Sequence, residues 1–369
     1  MDAITTALTA LADGIGENWT LALGGAIIGI MFGAFAQQSR FCLRAATVEF
    51  SRGHIGEKTA IWLIVFTVAV AGTQILTALG ILSTSEARQI ASPQSLSGAA
   101  LGGLLFGSGM ILARGCASRL LVLSATGNLR ALLSGLVFAV VAQASLRGIL
   151  SPLRETLAQP LTTASTGGND ILSMAALDQR TATIVSVIAL FAAMTVAALR
   201  RIGAWTTAAA FLVGLTIPCA WWFTFSMGGI AFEPVQVEAL TFTGPSADTL
   251  MLFLTPPGSD IDFDVGLVPG VFAGSFLAAF VTGQLKLQGF HDGLSMRRYL
   301  AGASMMGFGG MLAGGCAVGA GVTGASVFAL TAWVTLFAIW LSAIVTDWLV
   351  DRRPETVQAE PPAQPSHVS

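Results

Sequence analysis

The sequence predicts an all-α polytopic membrane protein. About nine transmembrane helices fall in two inverted-topology repeats, with short re-entrant or broken Gly-rich helices near the midplane. Three observations lead there. Only 10% of the 369 residues are charged, 54% are hydrophobic, and the mean hydropathy is +0.76. Soluble domains carry about 25% charged residues, so most of this surface must face lipid rather than water. Several near-uncharged runs approach or exceed the roughly 20 residues a helix needs to cross hydrocarbon. Finally, two distant segments repeat one another.

The apolar runs, in order, are about 18–36, 59–82, 98–113, 131–150, 181–199, 204–225, 267–285, 299–313 and 327–348. Charge orients them. Arg40, Arg44, Arg52 and Lys58 follow the first run, Arg200 and Arg201 the fifth, and Lys286, Arg297 and Arg298 the seventh. Between Ile202 and Leu285 there is no Lys or Arg, and the loop 226–266 carries Glu233, Glu238, Asp248, Asp260, Asp262 and Asp264. The positive-inside rule places the basic loops in the cytoplasm and the acidic loop outside. Nine spans then put the N-terminus outside and the C-terminus inside. The N-terminal "MDAITTALTALADGIGENWT" has no Lys or Arg ahead of its apolar stretch, so it does not read as a cleavable signal peptide. Residues 351–369 are Pro-rich and polar, and read as a disordered cytoplasmic tail.

"GGLLFGSGMILARGCA" (102–117) aligns without a gap on "GASMMGFGGMLAGGCA" (302–317), with eight of sixteen positions identical. An odd number of crossings separates the copies, so they enter the membrane from opposite sides. Inverted repeats of this kind belong to transporter architectures. The halves are residues 1–150 and 204–350, and residues 151–203 form a linker with the helix that inverts the second half. The apolar stretch before each repeated cysteine is short and the segment after it is Gly-rich, the signature of broken helices meeting near the midplane. Non-helical backbone survives there only under protein or beside a water-filled cavity. Close helix packing through small residues is a compatible reading, and would bring Cys116 and Cys316 toward each other.

No basic patch is present to neutralise phosphates, which excludes nucleic acid. Cys42, Cys116, Cys219 and Cys316 form no CxxC pair, and no zinc-type spacing joins them to His54, His291 or His367. No metal or other cofactor is expected. A buried free cysteine is often only a small hydrophobe. Cys116, however, stands between Arg114 and Arg119, and Cys42 between Arg40 and Arg44. Arginine supplies fixed charge and forked donors to an anion, and a neutral thiol supplies a weak S–H donor that does not trap its ligand. The pattern points to an anion with a use for sulfur. Arg40, Arg44 and Arg119 read equally as cytoplasmic topology markers. Arg114 lies inside the repeat, where its counterpart is Gly314. No acidic residue stands clearly inside a span, which favours a passive conduit over a proton relay.

The segments "SRFCLRAA", "GGLLFGSGMILARGCASR", "DFDVGLVPGVFAGSFLAAF" and "YLAGASMMGFGGMLAGGCAVGAG" resemble the YeeE/YedE family over residues 20–348, nearly the whole chain. The resemblance implies a bacterial inner-membrane protein that takes up thiosulfate, built as an hourglass of inverted repeats. It also implies three pathway cysteines, which fall on Cys42, Cys116 and Cys316 with Cys116 central, and relay of thiosulfate by S–H contacts. Arg114, Arg119 and Arg40 would offset its charge. Cys219 is outside that set, either packing or a fourth contact near the outer mouth. The acidic loop 226–266 would repel a dianion.

Other readings stay open: transport of another sulfur or selenium compound, or a membrane thiol oxidoreductase or sulfurtransferase with Cys116 as nucleophile. Against the enzyme, no general base adjoins Cys116. A further reading makes the chain a subunit that docks a soluble sulfur carrier of the TusA type, with the basic loop 37–58 as its docking surface. The expected partners are therefore thiosulfate or a related small anion, membrane lipid, and a TusA-like cytoplasmic carrier.

Overall fold

The computed structural model describes residues 2–165, 167–254, 261–289 and 293–351. The tail expected to be disordered thus lies, beyond Asp351, outside the described residues. The chain begins with α1 (Asp2–Ile15) and enters α2 (Glu17–Ser39), which breaks before the short α3 (Leu43–Ser51). Next come α4 (Glu57–Ala78) and the one-turn α5 (Arg88–Ala91). α6 (Leu96–Leu112) breaks before α7 (Ala117–Ala125), and α8 (Leu129–Arg147) comes after it. The short α9 (Ser151–Ala158) and α10 (Ile171–Met174) lead into α11 (Gln179–Leu199). Then follow α12 (Ala204–Gly228), α13 (Thr243–Leu254), α14 (Phe263–Val281) and α15 (Gly293–Leu312). A π-helical turn (Ala317–Thr323), α16 (Gly324–Ser326) and α17 (Leu330–Val350) come last.

The chain is an all-helical polytopic membrane protein. Among the described residues no strand forms, and eight segments are long and apolar enough to cross a bilayer. A ninth is a pair bent by 40°, Ser295–Leu312 with Ala317–Ser326. Each of the nine contains most of one of the apolar runs, but three extend well past it through a break: Glu17–Ser51, Leu96–Ala125 and the bent pair ending at Ser326.

Glycine decides which helices touch. In lipid no hydrophobic gain drives helices together, so close backbone approach and van der Waals contact must do so. A Cβ on Gly102 of α6 would stand 2.5 Å from the Ala313 nitrogen and the Gly309 oxygen. One on Gly302 of α15 would stand 2.5 Å from the Ala113 nitrogen and 2.6 Å from the Gly109 oxygen. The two repeated segments therefore cross antiparallel, each using the same glycines on the other.

The neighbours obey the same reciprocity. Gly103 and Gly107 of α6 face Thr335 and Ile339 of α17, while Gly307 of α15 faces Phe138 and Ala142 of α8. α2 runs parallel to α14, with Gly25, Gly29 and Gly33 against Phe263, Leu267 and Val271, and with Gly266, Gly270 and Gly274 against Ala22, Ala26 and Ile30. α4 lies likewise beside α12, where Gly72 meets Pro218 and Gly214 meets Val65. α11 packs on α4.

Non-helical backbone among these helices needs internal partners. At the π turn and α16, Gln74 Nε2 donates to the Ser326 carbonyl at 2.7 Å, Gln179 Nε2 donates to Gln74 Oε1 at 2.7 Å, and Trp221 Nε1 donates to Ser326 Oγ at 3.1 Å. Asn169, from the connection between α9 and α10, caps α17: its Oδ1 accepts from the Thr331 nitrogen at 2.9 Å. Gln74→Leu leaves the Ser326 carbonyl and the Gln179 amide without these partners. It is expected to cost about 2 kcal/mol, read as a lowered thermal midpoint of the detergent-solubilised protein. An unchanged midpoint would show that this bond is not what holds the turn.

Candidate functional site

Three of the cysteines sit in one local device. A helix ends, the residue two before the cysteine is left-handed (Arg40 φ 55, Arg114 φ 55, Gly314 φ 77), and the cysteine then N-caps the next helical segment. Cys42 caps α3, Cys116 caps α7 and Cys316 caps the π turn, where its Sγ accepts from the Gly319 nitrogen at 3.4 Å. The reversal is how a helix stops without leaving its carbonyls bare, and the N-cap position points the thiol toward unpaired N–H groups. Glycine fits the left-handed position freely, whereas an L-residue there costs roughly 1 kcal/mol. Arginine holds it twice.

The structure brings Cys42 and Cys116 into side-chain contact. Cys116 is 1% exposed, and its Sγ lies 3.5 Å from Ser118 Oγ. All four cysteines are free thiols. The thiol contact thus joins Cys116 to Cys42; Cys316 instead neighbours Thr241, Phe242 and the backbone of Val318 and Gly319. An aromatic run links the two places: the Phe242 ring lies tilted 5.2 Å from that of Phe32, which meets Phe41, the residue before Cys42, edge-on at 6.4 Å.

The arginines separate into classes. Arg40 and Arg114 hold exposed positions at their turns. Arg44 and Arg119 both act electrostatically on Cys42. Arg44 is already engaged, pairing with Asp351 at 3.3 Å, while Asp351 also takes Arg298 at 2.7 Å. Arg119 is half-buried, and its Nη1 is buried with no hydrogen-bond partner among the described residues. An unpaired buried donor of that charge is costly unless a ligand satisfies it. Cys219 stands elsewhere. It lines an apolar cavity of about 820 Å³ between α4, α11 and α12, beside Pro218 and Trp222.

The acidic loop is not the open, solvated loop its composition suggests. Residues 237–243 are buried and run against the π turn. Thr323 Oγ1 donates to the Leu240 carbonyl at 2.7 Å, and a side chain on Gly319 would overlap Thr241. Glu238 is buried; desolvation pushes its carboxyl up to about 7 against the opposing charge of Arg88, with Asp262 and Asp248 adding to the rise. Asp248 is raised too, chiefly by burial. A protonated carboxyl does not repel an anion, so the loop's formal charge overstates its repulsion. Thr241 and Phe242 carried no signal in the sequence, since no motif or spacing marks them; Ser118 and Glu238 were visible only as part of a motif and of an acidic loop, not as groups near the thiols.

A family model described as sulphur transport matches residues 38–345, a stretch that contains all three capping cysteines. The chain belongs to the sulphur transport family. Its resemblance to the YeeE/YedE proteins is thereby upheld, and the chain is a membrane transporter rather than an enzyme. Among curated proteins, the thiosulfate transporter TsuA of Escherichia coli strain K12 is 28% identical over 360 residues, spanning 91% of this chain and 97% of that one. The thiosulfate transporter TsuA of Spirochaeta thermophila is 26% identical over 355 residues, spanning 91% and 99%. The match thus spans the Cys42–Cys116 thiol pair and the half-buried Arg119.

Proposed function

We propose that this transporter carries thiosulfate across the bacterial inner membrane, inward, along Cys316, Cys116 and Cys42. The observation that carries the reading is the Cys42–Cys116 thiol contact with the half-buried Arg119 nearby, whose Nη1 has no hydrogen-bond partner among the described residues. Thiosulfate has a terminal sulfur for weak S–H donors and a double negative charge for arginine; sulfate has only the charge. The names of both curated relatives support the substrate. The antiparallel, reciprocal crossing of α6 and α15 supports two inverted halves. In the orientation of the positive-inside rule, the N-terminus and the acidic loop lie outside and Arg40, Arg44 and Arg298 lie inside. Arg40 and Arg114 then act as exposed cations at the turns. The inner basic stretch 37–58 offers a surface for a TusA-like soluble carrier, and surrounding lipid covers the apolar helix faces.

The test is uptake of radiolabelled thiosulfate into proteoliposomes holding the purified chain, with unlabelled sulfate as competitor. The expected result is uptake that excess sulfate leaves standing. Equal competition by sulfate would remove the role given to sulfur, and no uptake by folded protein would turn the reading toward another sulfur or selenium compound. Arg119→Gln is expected to lower uptake about tenfold, the equivalent of losing one charge-assisted contact of about 1.4 kcal/mol. Uptake equal to wild type would make Arg119 a topology marker only.

A further inference from the structure

We infer that Arg88 and Glu238 form a second binding site, at the outer mouth, where a proton and a small dianion bind together. The inference rests on the transport reading and on the outward placement of the loop 226–266.

Arg88 Nε stands 4.0 Å from Glu238 Oε2, a long contact for an ion pair, with Arg88 one-third exposed and Glu238 buried. The backbone on both sides is pinned. The Arg88 nitrogen donates to the Val237 carbonyl at 3.1 Å. The Glu238 nitrogen donates to Thr224 Oγ1 at 3.2 Å, and its carbonyl accepts from that hydroxyl at 2.7 Å. Only the carboxyl is left unsatisfied: Oε2 is buried with no hydrogen-bond partner among the described residues, and so is Oδ1 of Asp264. A carboxylate held in this way is penalised by desolvation.

The groups that act on Glu238 come from three elements. Arg88 from α5 opposes its charge, while Asp248 of α13, and Asp262 and Asp264 at the start of α14, repel it. Arg147 of α8 acts on Asp248. Glu238 consequently takes up a proton near neutral pH. Once it does, Arg88 loses its counter-charge and its fork of donors is free for an anion. Binding of each favours the other, because linkage is reciprocal.

The position suits delivery. Three residues after Glu238 in the same buried segment, Thr241 lies against Cys316. The side chain of Gln89, next to Arg88, packs near Gly324 at the end of the π turn. An anion on Arg88 therefore stands at the head of the thiol pathway, and the acidic loop becomes part of its capture.

Two measurements test the site. The first is thiosulfate uptake into proteoliposomes at several external pH values. Wild type is expected to speed up several-fold between about pH 8 and about pH 6, tracking the protonated fraction of a group titrating near 7. Glu238→Gln, fixed neutral, should flatten that profile and raise the rate at the alkaline end. Arg88→Gln should lower uptake about tenfold throughout. The second is infrared difference spectroscopy of the purified full chain, monitoring the carboxylic-acid carbonyl band that Glu238→Gln removes. Thiosulfate should shift its titration to higher pH.

Uptake that is the same at all pH values, or a wild-type profile in Glu238→Gln, overturns this site and leaves thiosulfate transport standing. Absence of uptake under every condition removes the transport reading. The infrared titration then still decides the site: a shift on adding thiosulfate upholds it, and an unmoved titration overturns it.

Discussion

Cys116→Ala is expected to lower the initial rate of thiosulfate uptake at least about tenfold while the protein remains folded. Cys116 is 1% exposed, contacts Cys42, and lies 3.5 Å from Ser118 Oγ. Removing one buried sulfur leaves a small void with a cost of about 1 kcal/mol, too little to unfold a helical bundle of this size. Its effect on a moving anion is larger. The thiol is the donor on which the ligand would pass between Cys316 and Cys42, and alanine offers no substitute, so one step of a serial path loses its stabilised site. The fall need reflect only about 1.4 kcal/mol. Cys219→Ala, in the separate cavity between α4, α11 and α12, should leave uptake unchanged and serves as the matched control. Normal uptake by well-folded Cys116→Ala would end the cysteine-pathway reading.

The largest structural effect is expected at the crossing of α6 and α15. Gly102→Val and Gly302→Val each place atoms where the opposing backbone already stands, 2.5 Å from the Ala313 and Ala113 nitrogens respectively. A side chain facing backbone cannot be relieved by a rotamer change, so the helices must separate. The cost is expected to exceed about 3 kcal/mol, the upper range for overpacked cores, and each variant should fail to give a monodisperse protein on detergent size exclusion. Gly135→Ala provides the contrast. Gly135 lies within α8 with open space around it, so alanine should stabilise by a few tenths of a kcal/mol to about 1 kcal/mol through helix propensity. If Gly102→Val and Gly135→Ala had the same thermal midpoint, the close crossing would be wrong.

The separation of α6 from α7 was legible in the sequence because its cause is local. Gly115 comes after a short apolar run, and the same spacing recurs at Gly315. The buried course of 237–243 was not legible. Glu238 within it, and Glu233 and Asp248 on either side, make the whole loop read as solvated, and burial depends on the π turn, which is close in space and distant in sequence. Looking for acidic residues only inside the spans passes over Glu238 for the same reason. The arginine pattern was visible, but its division was not. Arg44 and Arg119 look alike beside cysteines, and only the arrival of Asp351 beside Arg44 leaves Arg119 unmatched.

By itself the sequence determined the class and the apolar runs that become the spanning helices, while α1, α13 and the break at Cys42 carried no such signal. Hydropathy, helix-length runs and glycine at fixed spacing act over one or two helical lengths, and each can be read without knowing its neighbours. The tertiary structure decided which thiols meet, which cation is left without a partner and which carboxylate is sealed from water. Those are pairwise distances between segments far apart in the chain, set by glycine-mediated helix crossings, and no local property of either segment contains them.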